Sequence, residues 1–414
     1  MKNSKKQCHN IVLVGGGGRC GILFPLFAKR EDCNIVAIIE KNKENHAQNR
    51  TWLDEYGWKD TPVLESLDEL STLSSFDKGQ ASPYDMAFIF TPEWTHADIF
   101  EKLVDMNFNI FIEKPLATTE EEVLRIQKLA EKTSRIVQVG FVMRYTPYYQ
   151  AVKEIIESGK LGQVVMIEMS ERLIPVSGAS NRRRWHRLIK NTGGFLNEKS
   201  SHDLDMMCWL KENQGLPVRL FSHGGQSFFN RKGMPDNCGE CKDMQCPYRF
   251  KGFVGDLTQI SYNAEGKIAP DTCVYNSDAD IMDNQSVTIS FSDGTQGIFT
   301  LLNVSALDGR EIRIHGTEGM LYGDTNSNNI TLHEYRGEKK SNLPLPDSDE
   351  GHYGGDKAVI DEFFQSVKSA KAPISTISDG VRASLLAFAA DKSVKTKKTI
   401  DLNQTITGNK KENK

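Results

Sequence analysis

Short apolar runs alternate with amphipathic segments along the N-terminal third of the chain. The runs are typical of strands buried on both faces, whereas the segments between them repeat their apolar residues with the period of a helix. The strand-like runs are "NIVLV", "NIVAIIE", "YDMAFIFTP", "FNIFIEKP" and "RIVQVGFV". Strands separated by single helices predict parallel βαβ units in a doubly wound sheet.

The pattern changes after Arg144. Apolar and polar residues now alternate one by one, as in strands with a single buried face, and turns such as "SDGT" and "HGTEG" separate the strands. We therefore predict an α/β architecture, with a Rossmann-type parallel sheet over residues 1–144 and a large, mostly antiparallel sheet within residues 145–414. Of two late helix-like segments, "AVIDEFFQSVKSA" and "DGVRASLLAFAADKSVK", one is a candidate to pack back on the first domain.

The first strand leads into a glycine turn and a helix start, "IVLVGGGGRCGILF". Glycines let the backbone turn tightly and approach a pyrophosphate, which then lies at the positive end of the helix. A register beginning at Gly16 completes the full fingerprint, but a register beginning at Gly15 follows the strand directly, and we prefer it. The predicted cofactor-binding residues of this turn are Gly15, Gly17, Gly18 and Arg19.

The second strand, "NIVAIIE", ends in Glu40. A carboxylate at this place accepts hydrogen bonds from the adenosine ribose hydroxyls and repels a 2′-phosphate. Glu40 therefore predicts NAD in preference to NADP, although Lys41 and Lys43 lie close by in the sequence.

A later stretch, "GGFLNEKSSHDLDMMCWL" at residues 193–210, has the pattern of a helix led by two glycines. Glu198, His202 and Asp205 are spaced by four and three residues, which places them on one face of that helix. Such a polar stripe is either a solvated surface or the wall of a substrate cleft.

Composition excludes several classes of partner. The 414 residues are 38% hydrophobic and 26% charged, with a formal net charge of -4, so we expect neither nucleic acid nor an anionic membrane as a partner. No apolar run approaches the ~20 residues of a membrane span, and "IVLV" is shorter than the ~7–15-residue core of a signal peptide. We expect a cytoplasmic protein whose eight cysteines are mostly thiols unless they bind metal.

Together with the glycine turn, the stretches "TPEWTHAD", "FIEKP" and "GGFLNEKSSHDLDMMCWL" make the chain resemble the Gfo/Idh/MocA oxidoreductases, and the likeness extends to "IRIHGTEGMLYGD" and "GHYGGD". The resemblance implies a Rossmann domain and a substrate-binding α/β domain whose sheet often forms an oligomer interface, hence a homodimer or homotetramer. It also implies hydride transfer between NAD(P) and a secondary alcohol of a sugar, glycoside or cyclic polyol.

The resemblance assigns roles residue by residue. Lys114 and His202 match the catalytic lysine and histidine, and Pro115 matches a proline that is often cis in the family. On the cofactor side, the matching residues are Thr91, Pro92, His96 and Glu113. The family commonly has aspartate four residues before the histidine, whereas this chain has Glu198, which leaves open whether that carboxylate contacts substrate or the histidine.

Lys114 and His202 suit the chemistry of hydride transfer. Hydride leaves a carbinol carbon only when the hydroxyl proton also leaves, and a neutral imidazole accepts that proton near pH 7. A nearby ammonium stabilises the developing alkoxide.

Other residues are candidates for substrate contacts. Three of them lie on the predicted helix, namely Glu198, Lys199 and Asp205, and two lie in "VMRYTP", namely Arg144 and Tyr145. In the basic run "NRRRWHR" at residues 181–187, the candidates are Trp185 with Arg184 or Arg187. The basic run is equally consistent with a solvated loop, and a structural role for Asp205 is equally consistent with its position.

Cys238, Cys241 and Cys246 have a knuckle-like spacing, and Cys273 follows 27 residues later. Four thiolates of this kind suit a structural zinc ion that clips a long loop. Two disulfides and unlinked thiols are the alternatives.

Two other functions remain compatible with the sequence. One is a glycoside-cleaving enzyme that retains NAD and works through a 3-keto intermediate. The other is a non-catalytic regulator that keeps the dinucleotide site and senses a sugar; the presence of both Lys114 and His202 favours an enzyme.

Overall fold

The computed structural model describes residues 8–73, 82, 85–212, 214–250, 269–327, 329–337, 339–345 and 352–402. The chain divides into two units. Unit one comprises Met1–Val142 and Glu350–Val381, and unit two comprises Met143–Asp349 and Arg382–Lys414.

Unit one is built on a parallel sheet. Its strands are β1 His9–Val14, β2 Cys33–Ile39, β3 Val63–Leu64, β4 Met86–Ile89, β5 Asn109–Ile112 and β6 Val137–Val139, and its helices are α1 Gly18–Ala28, α2 His46–Glu55, α3 His96–Asp105 and α4 Glu120–Ala130. The six strands lie in the order β3-β2-β1-β4-β5-β6, and every neighbouring pair is parallel. The predicted doubly wound parallel sheet is confirmed. Because the strands are parallel, the carboxyl ends of β1, β4 and β5 lie at one edge. The reversal of strand order between β1 and β4 opens a crevice at this edge, where such sheets bind ligands.

A late segment of the chain returns to unit one. Helix α9, Gly355–Ser369, buries Phe363 and Phe364, and the rings of both contact Phe88 of β4 at centroid distances of 5.3 and 6.4 Å. Phe363 also packs against Phe111 of β5 at 5.8 Å. Residues 350–381 thus lie with unit one. The first of the two late helix-like segments therefore packs on the parallel sheet, and the division departs from the boundaries 1–144 and 145–414 by this segment, because the apolar face of α9 covers the sheet.

Unit two is built on a larger, mixed sheet. Its strands are β7 Val164–Arg172, β8 Pro217–Gly225, β9 Asn284–Phe291, β10 Gln296–Leu302, β11 Gly309–Gly316, β12 Gly319–Asp324, β13 Asn329–Glu334, β14 Lys339–Pro344 and β15 Ile400–Asp401. They lie in the order β14-β13-β12-β11-β7-β10-β9-β8-β15. Among the described strands of this sheet, only β7 and β10 pair in parallel, so the predicted mostly antiparallel sheet is confirmed.

The remaining helices are α5 Pro147–Glu157, α6 Pro175–Arg183, α7 Ile189–Thr192, α8 Phe195–Leu210 and α10 Ile377–Thr396, and the boundary between the units falls within α10. Helix α8 packs on the sheet of unit two so closely that a Cβ placed on Gly297 of β10 would lie 2.4 Å from Met207 Sδ. None of the helices in the described ranges is long and apolar enough to cross a membrane.

Candidate active site

The glycine turn of unit one packs tightly against the loop after β4. Gly15 has a φ of +97°, and a Cβ there would lie 2.8 Å from the backbone nitrogen of Thr91, at the end of β4. The following helix α1 begins at Gly18 with Gly17 as its N-cap, without a side-chain cap and without an acidic residue in its first turn. Its first N–H groups therefore remain available for a phosphate, as the predicted turn requires.

Glu40 supports this turn from the end of β2. Its side chain is almost completely buried; Oε2 accepts a hydrogen bond from the Gly16 N–H at 2.9 Å and Oε1 accepts one from the Asn42 N–H at 2.7 Å. Lys43 faces Glu65 in an exposed ion pair of 2.8 Å.

The ring of His96, predicted as a cofactor contact, lies between the loops after β4 and β5. Its ring is buried, with Nε2 2.9 Å from the Thr91 carbonyl oxygen and Nδ1 3.1 Å from that of Pro115. Burial lowers the pKa of this imidazole. Because both ring nitrogens contact backbone carbonyls, His96 joins the loop after β4, which contains Thr91 and Pro92, to the loop after β5. Its contact with a cofactor stays a prediction.

Lys114 follows β5 at the carboxyl edge of the parallel sheet, and the Lys114–Pro115 peptide bond is cis, as the resemblance implies. The neighbouring Glu113 is not aligned toward solvent, because its Oε1 accepts a hydrogen bond from Arg19 Nε at 2.6 Å. Arg19 also contacts Asp356 at 2.8 Å. The guanidinium that was predicted to bind cofactor is thus held between two carboxylates.

In unit two, a buried carboxylate leaves no room for a side chain at Gly194, which precedes α8. Gly194, the N-cap residue, has a φ of +115°, and a Cβ there would lie 2.3 Å from Oδ2 of Asp391 in α10. Asp391 accepts a hydrogen bond from Gln285 Nε2 at 3.0 Å. Burial nevertheless raises the pKa of Asp391 to about 6.

Helix α8 is irregular at Ser200, whose φ of -114° and ψ of 16° lie outside the helical range. Its hydroxyl donates to Oε2 of the buried Glu171 in β7 at 2.9 Å. Arg310 of β11, the cross-strand partner of Glu171, contacts that carboxylate at 2.6 Å and Asp203 at 2.8 Å. Lys199 Nζ lies 3.3 Å from the same Glu171. This charged network holds the residues on both sides of the irregularity.

The two carboxyl groups of the network titrate differently. Burial would raise the pKa of Glu171, but the charges of Arg310 and Lys199 hold it below its ordinary value. Burial dominates at Asp203 and raises its pKa to about 6, against the opposing charge of Arg310. Arg310 thus pairs with two buried carboxyl groups whose pKa values are shifted in opposite directions.

Glu198 has His186 as a histidine partner. The distance from Glu198 Oε1 to His186 Nε2 is 3.6 Å, and both side chains are largely buried. The ring of Trp185 stacks on His186, with a centroid distance of 3.6 Å and an interplanar angle of 22°. Three groups suited to polar and stacking contacts with a sugar are thus held together. The sequence patterns did not single out His186, although it directly follows Trp185.

The predicted substrate residues Arg144 and Asp205 contact each other instead. Arg144 Nε and Nη2 donate to the two oxygens of Asp205 at 2.7 and 2.6 Å, and both side chains are 1% exposed. A buried bidentate pair of this kind fixes α8 to the segment that precedes α5, so we interpret it as structural. Tyr145 is also buried.

Helix α8 does not carry a solvated polar stripe. His202 is mostly buried, at 8% exposure, and every residue from Ser200 to Leu210 is buried.

The basic run at residues 181–187 is not a solvated loop. Arg182 donates to the Ile281 carbonyl oxygen at 3.1 Å and Arg183 to that of Thr272 at 2.7 Å. Burial lowers the pKa of Arg182 to about 10. Arg187, predicted as a substrate contact, is 1% exposed and forms an ion pair with Asp278. These arginines therefore brace the loops of unit two.

The predicted zinc site is not supported. Cys238, Cys241, Cys246 and Cys273 are free thiols. All four belong to the described part of the chain, within which no group of three or more His, Cys, Asp or Glu side chains is placed to hold a metal ion. Cys238 Sγ instead accepts hydrogen bonds from Arg183 Nη2 at 3.3 Å and from the Phe250 N–H at 3.4 Å.

Two of these thiols belong to an apolar cluster. Cys273 is a buried member and Cys246 packs against it; the aromatic members are Phe228, Phe229, Tyr248 and Tyr275. Burial raises the pKa of the Cys273 thiol. Aromatic packing, rather than a metal ion, consolidates these residues in the structure.

Two family models match the chain. The model described as "Oxidoreductase family, NAD-binding Rossmann fold" matches residues 9–141, and that described as "Oxidoreductase family, C-terminal alpha/beta domain" matches residues 153–402. Both are models of the Gfo/Idh/MocA proteins, and together they cover both sheets.

Individual proteins with this arrangement are similar over most of their length. Inositol 2-dehydrogenase of Rhizobium meliloti (strain 1021) is 24% identical over 339 residues, which cover 81% of this chain and 85% of the relative. The structure of levoglucosan dehydrogenase in complex with NADH and levoglucosan has a TM-score of 0.71 at 17% identity, covering 96% and 100% of the two chains. Myo-inositol 2-dehydrogenase from Lactobacillus plantarum has a TM-score of 0.68 at 17% identity, covering 95% and 99%. These structural likenesses show a shared fold.

The raised pKa of Asp391 predicts a pH-dependent stability. Because the native state binds this proton more tightly than the unfolded chain, its stabilising contribution is present below the ordinary pKa of 3.8 and is lost as the pH rises through about 6. Asp391→Asn removes this loss. Between about pH 4.5 and about pH 7.5, the free energy of unfolding of the variant should therefore rise relative to wild type by roughly 1–3 kcal/mol.

Urea denaturation of both proteins at the two pH values measures this difference. Asp308→Asn, at an exposed carboxylate of the same unit, is the control and should show no such change. An equal difference at both pH values would contradict the raised pKa of Asp391.

Proposed function

The chain belongs to the Gfo/Idh/MocA oxidoreductase family, and from this premise we propose that it transfers hydride between NAD and a secondary alcohol of a sugar, glycoside or cyclic polyol. The observation that carries the proposal is the position of Lys114 directly after β5. The glycine turn after β1 lies at the same edge of the same sheet. Open parallel sheets bind ligands at this edge, outside the carboxyl ends of their strands.

The residues of unit one fit a dinucleotide. The uncapped N-terminus of α1 suits a pyrophosphate, and the carboxylate of Glu40 at the end of β2 suits a ribose. Gly15, with its φ of +97°, lets the chain turn tightly between β1 and α1. NAD, when bound, accepts or supplies the hydride. The protein has to bind the alcohol, orient it and move its proton.

We assign the proton transfer to Lys114 and His202. The ammonium of Lys114 stabilises negative charge on the substrate oxygen, and the imidazole of His202 accepts the hydroxyl proton during oxidation. Glu198, His186 and Trp185 are proposed substrate contacts, because they form one polar and aromatic group in unit two. Lys199, whose ammonium is paired with Glu171 but remains about one-third exposed, is a further proposed contact.

The relatives support the substrate class. Inositol is a cyclic polyol and levoglucosan a sugar derivative, and the proteins named for these compounds share the fold over nearly the whole chain. We propose a homo-oligomer in the cytoplasm as the working form, on the basis of the family resemblance and the absence of a membrane-spanning helix among the described residues.

The carboxylate of Glu40 predicts a preference for NAD. Measured with one polyol substrate, kcat/KM should be higher for NAD than for NADP by a factor on the order of ten or more, because like charges a few ångströms apart repel by roughly 1 kcal/mol or more. Glu40→Gln keeps the side-chain size and should reduce this ratio.

Glu44→Gln, at an exposed position in the same loop, is the matched control and should leave the ratio unchanged. Equal values of kcat/KM for the two cofactors in the wild type would show that Glu40 does not select NAD.

Substitution of Lys114 or His202 should mainly lower kcat. Lys114→Met retains the apolar stem and His202→Asn retains a polar group, so each should lower kcat by something on the order of 10²–10⁴, the usual effect of a positioned acid or base. The double variant should lose much less than the product of the two effects if both groups serve the same proton transfer.

Steady-state kinetics with NAD and a panel of sugars and cyclic polyols provide the measurement. Lys132→Met and His223→Asn, both at exposed positions, are the controls. If either active-site variant keeps a nearly wild-type kcat with the same pH dependence, the role of that residue is wrong.

A further inference from the structure

Arg19 connects three segments of unit one that are far apart in sequence. Its Nε donates to Glu113 Oε1 at 2.6 Å, and its Nη2 donates to Asp356 Oδ1 at 2.8 Å. All three side chains are mostly buried, at 19%, 11% and 4% exposure. Shared between two carboxylates in such a setting, the guanidinium is held far more firmly than in an exposed pair.

The Glu113 carboxylate contacts both Arg19 and the backbone of Lys114. While Oε1 is bound by Arg19, Oε2 accepts a hydrogen bond from the backbone N–H of Lys114 at 3.2 Å. Gly140, just after β6, provides the space, since a Cβ there would lie 2.9 Å from Glu113 Oε2. One carboxylate therefore fixes the backbone from which the Lys114 side chain projects.

Asp356 holds the other side of Arg19. It lies in the first turn of α9, and its Oδ2 is 2.9 Å from His352 Nδ1. Burial alone would raise the pKa of Asp356, but hydrogen bonds with His352 and Arg19 lower it to about 2. The helix dipole also favours a negative charge at this position.

We propose that Asp356 and Arg19 are positioning residues for Lys114, acting through the Glu113 carboxylate. The inference rests on the proposed function of Lys114 for its effect on turnover, but the contacts themselves do not depend on it. If the proposal holds, helix α9, which is far from Lys114 in sequence, helps to set the direction of the lysine side chain. A misplacement of about 1 Å in a reacting group can lower a rate by up to ~10²-fold.

Asp356→Asn tests the proposal, because it removes the negative charge with little change in volume. We expect kcat to fall by about tenfold, while KM for the alcohol and Kd for NAD change by less than about threefold. In a Lys114→Met background the same substitution should have almost no further effect on kcat, since its effect passes through Lys114.

A matched control exists in the same unit. Asp361 also lies in α9 and forms an ion pair with Arg30, but it has no contact with Glu113 among those described. Asp361→Asn should leave kcat, KM and the Kd for NAD unchanged. Equal losses of kcat in Asp356→Asn and Asp361→Asn would show a general effect on α9 and overturn the proposal.

A second measurement separates this inference from the proposed function. Reductive methylation of Lys114, followed by peptide mass spectrometry, reports the accessibility of its amine without any turnover. The labelling rate should change by about threefold or more in Asp356→Asn and remain unchanged in Asp361→Asn. A cooperative thermal unfolding transition above the labelling temperature confirms that each variant is folded.

The outcomes are distinct. An altered labelling rate without NAD-dependent turnover in the wild type would support the positioning and contradict the proposed function. An unchanged labelling rate, or a loss of kcat that persists in full in the Lys114→Met background, would overturn the positioning role whatever the wild-type activity.

Discussion

A charge removed from water has to meet an opposite charge or several hydrogen bonds, and this requirement organises the interior of both units. In unit one, Arg19 lies between Glu113 and Asp356. In unit two, Arg310 lies between Glu171 and Asp203. Each arginine is shared by two carboxylates that come from different secondary-structure elements. Removing one partner from such a group commonly costs about 3–5 kcal/mol, because the remaining charge stays buried. These groups therefore fix the relative positions of the elements within each unit.

The two charged groups also occupy comparable positions relative to the proposed catalytic residues. Glu113 precedes Lys114 in sequence and binds its backbone N–H. Asp203 follows His202, while Glu171 accepts the hydroxyl hydrogen of Ser200 at the irregular turn of α8. A regular helix satisfies its own backbone and needs no such support, whereas an interrupted one depends on side chains at the interruption. In both units, buried charge thus stabilises the local backbone next to a residue whose orientation matters for chemistry.

Much of the architecture could be predicted because it depends on local patterns. The apolar runs of β1, β2, β4 and β5 and the glycine turn are contiguous in sequence, and their order alone requires a parallel sheet. The alternation in β9 and β10 likewise shows one buried face. The boundary of unit one could not be read in this way, because α9 has the amphipathic pattern of any surface helix, and nothing local shows which sheet its apolar face will cover.

The sequence patterns missed several residues of the candidate site for the same reason, namely that their contacts are not local in the sequence. Asp356 and Arg19 are 337 positions apart in the sequence, and Arg310 and Asp203 are 107 positions apart. No rule based on sequence spacing predicts contacts between residues so far apart. The arginines of "NRRRWHR" resemble a solvated run, but Arg182 and Arg183 find backbone carbonyls inside unit two. The cysteine spacing suggested zinc, yet spacing specifies only which thiols are close along the chain. Whether their sulfur atoms converge depends on the path of the intervening loop.

Glu198 shows how a small departure from the family pattern acquires a physical meaning. The carboxylate reaches His186 at 3.6 Å, and the aspartate that is common in the family is shorter by one methylene, or about 1.5 Å. From the same backbone position, an aspartate would leave His186 beyond ion-pair distance. The longer side chain thus holds His186 against Trp185, whose ring it covers on one face. Glu198 and Trp185 are both proposed substrate contacts, so the exchange of aspartate for glutamate bears on the stacking of His186 on Trp185 as well as on the position of a charge.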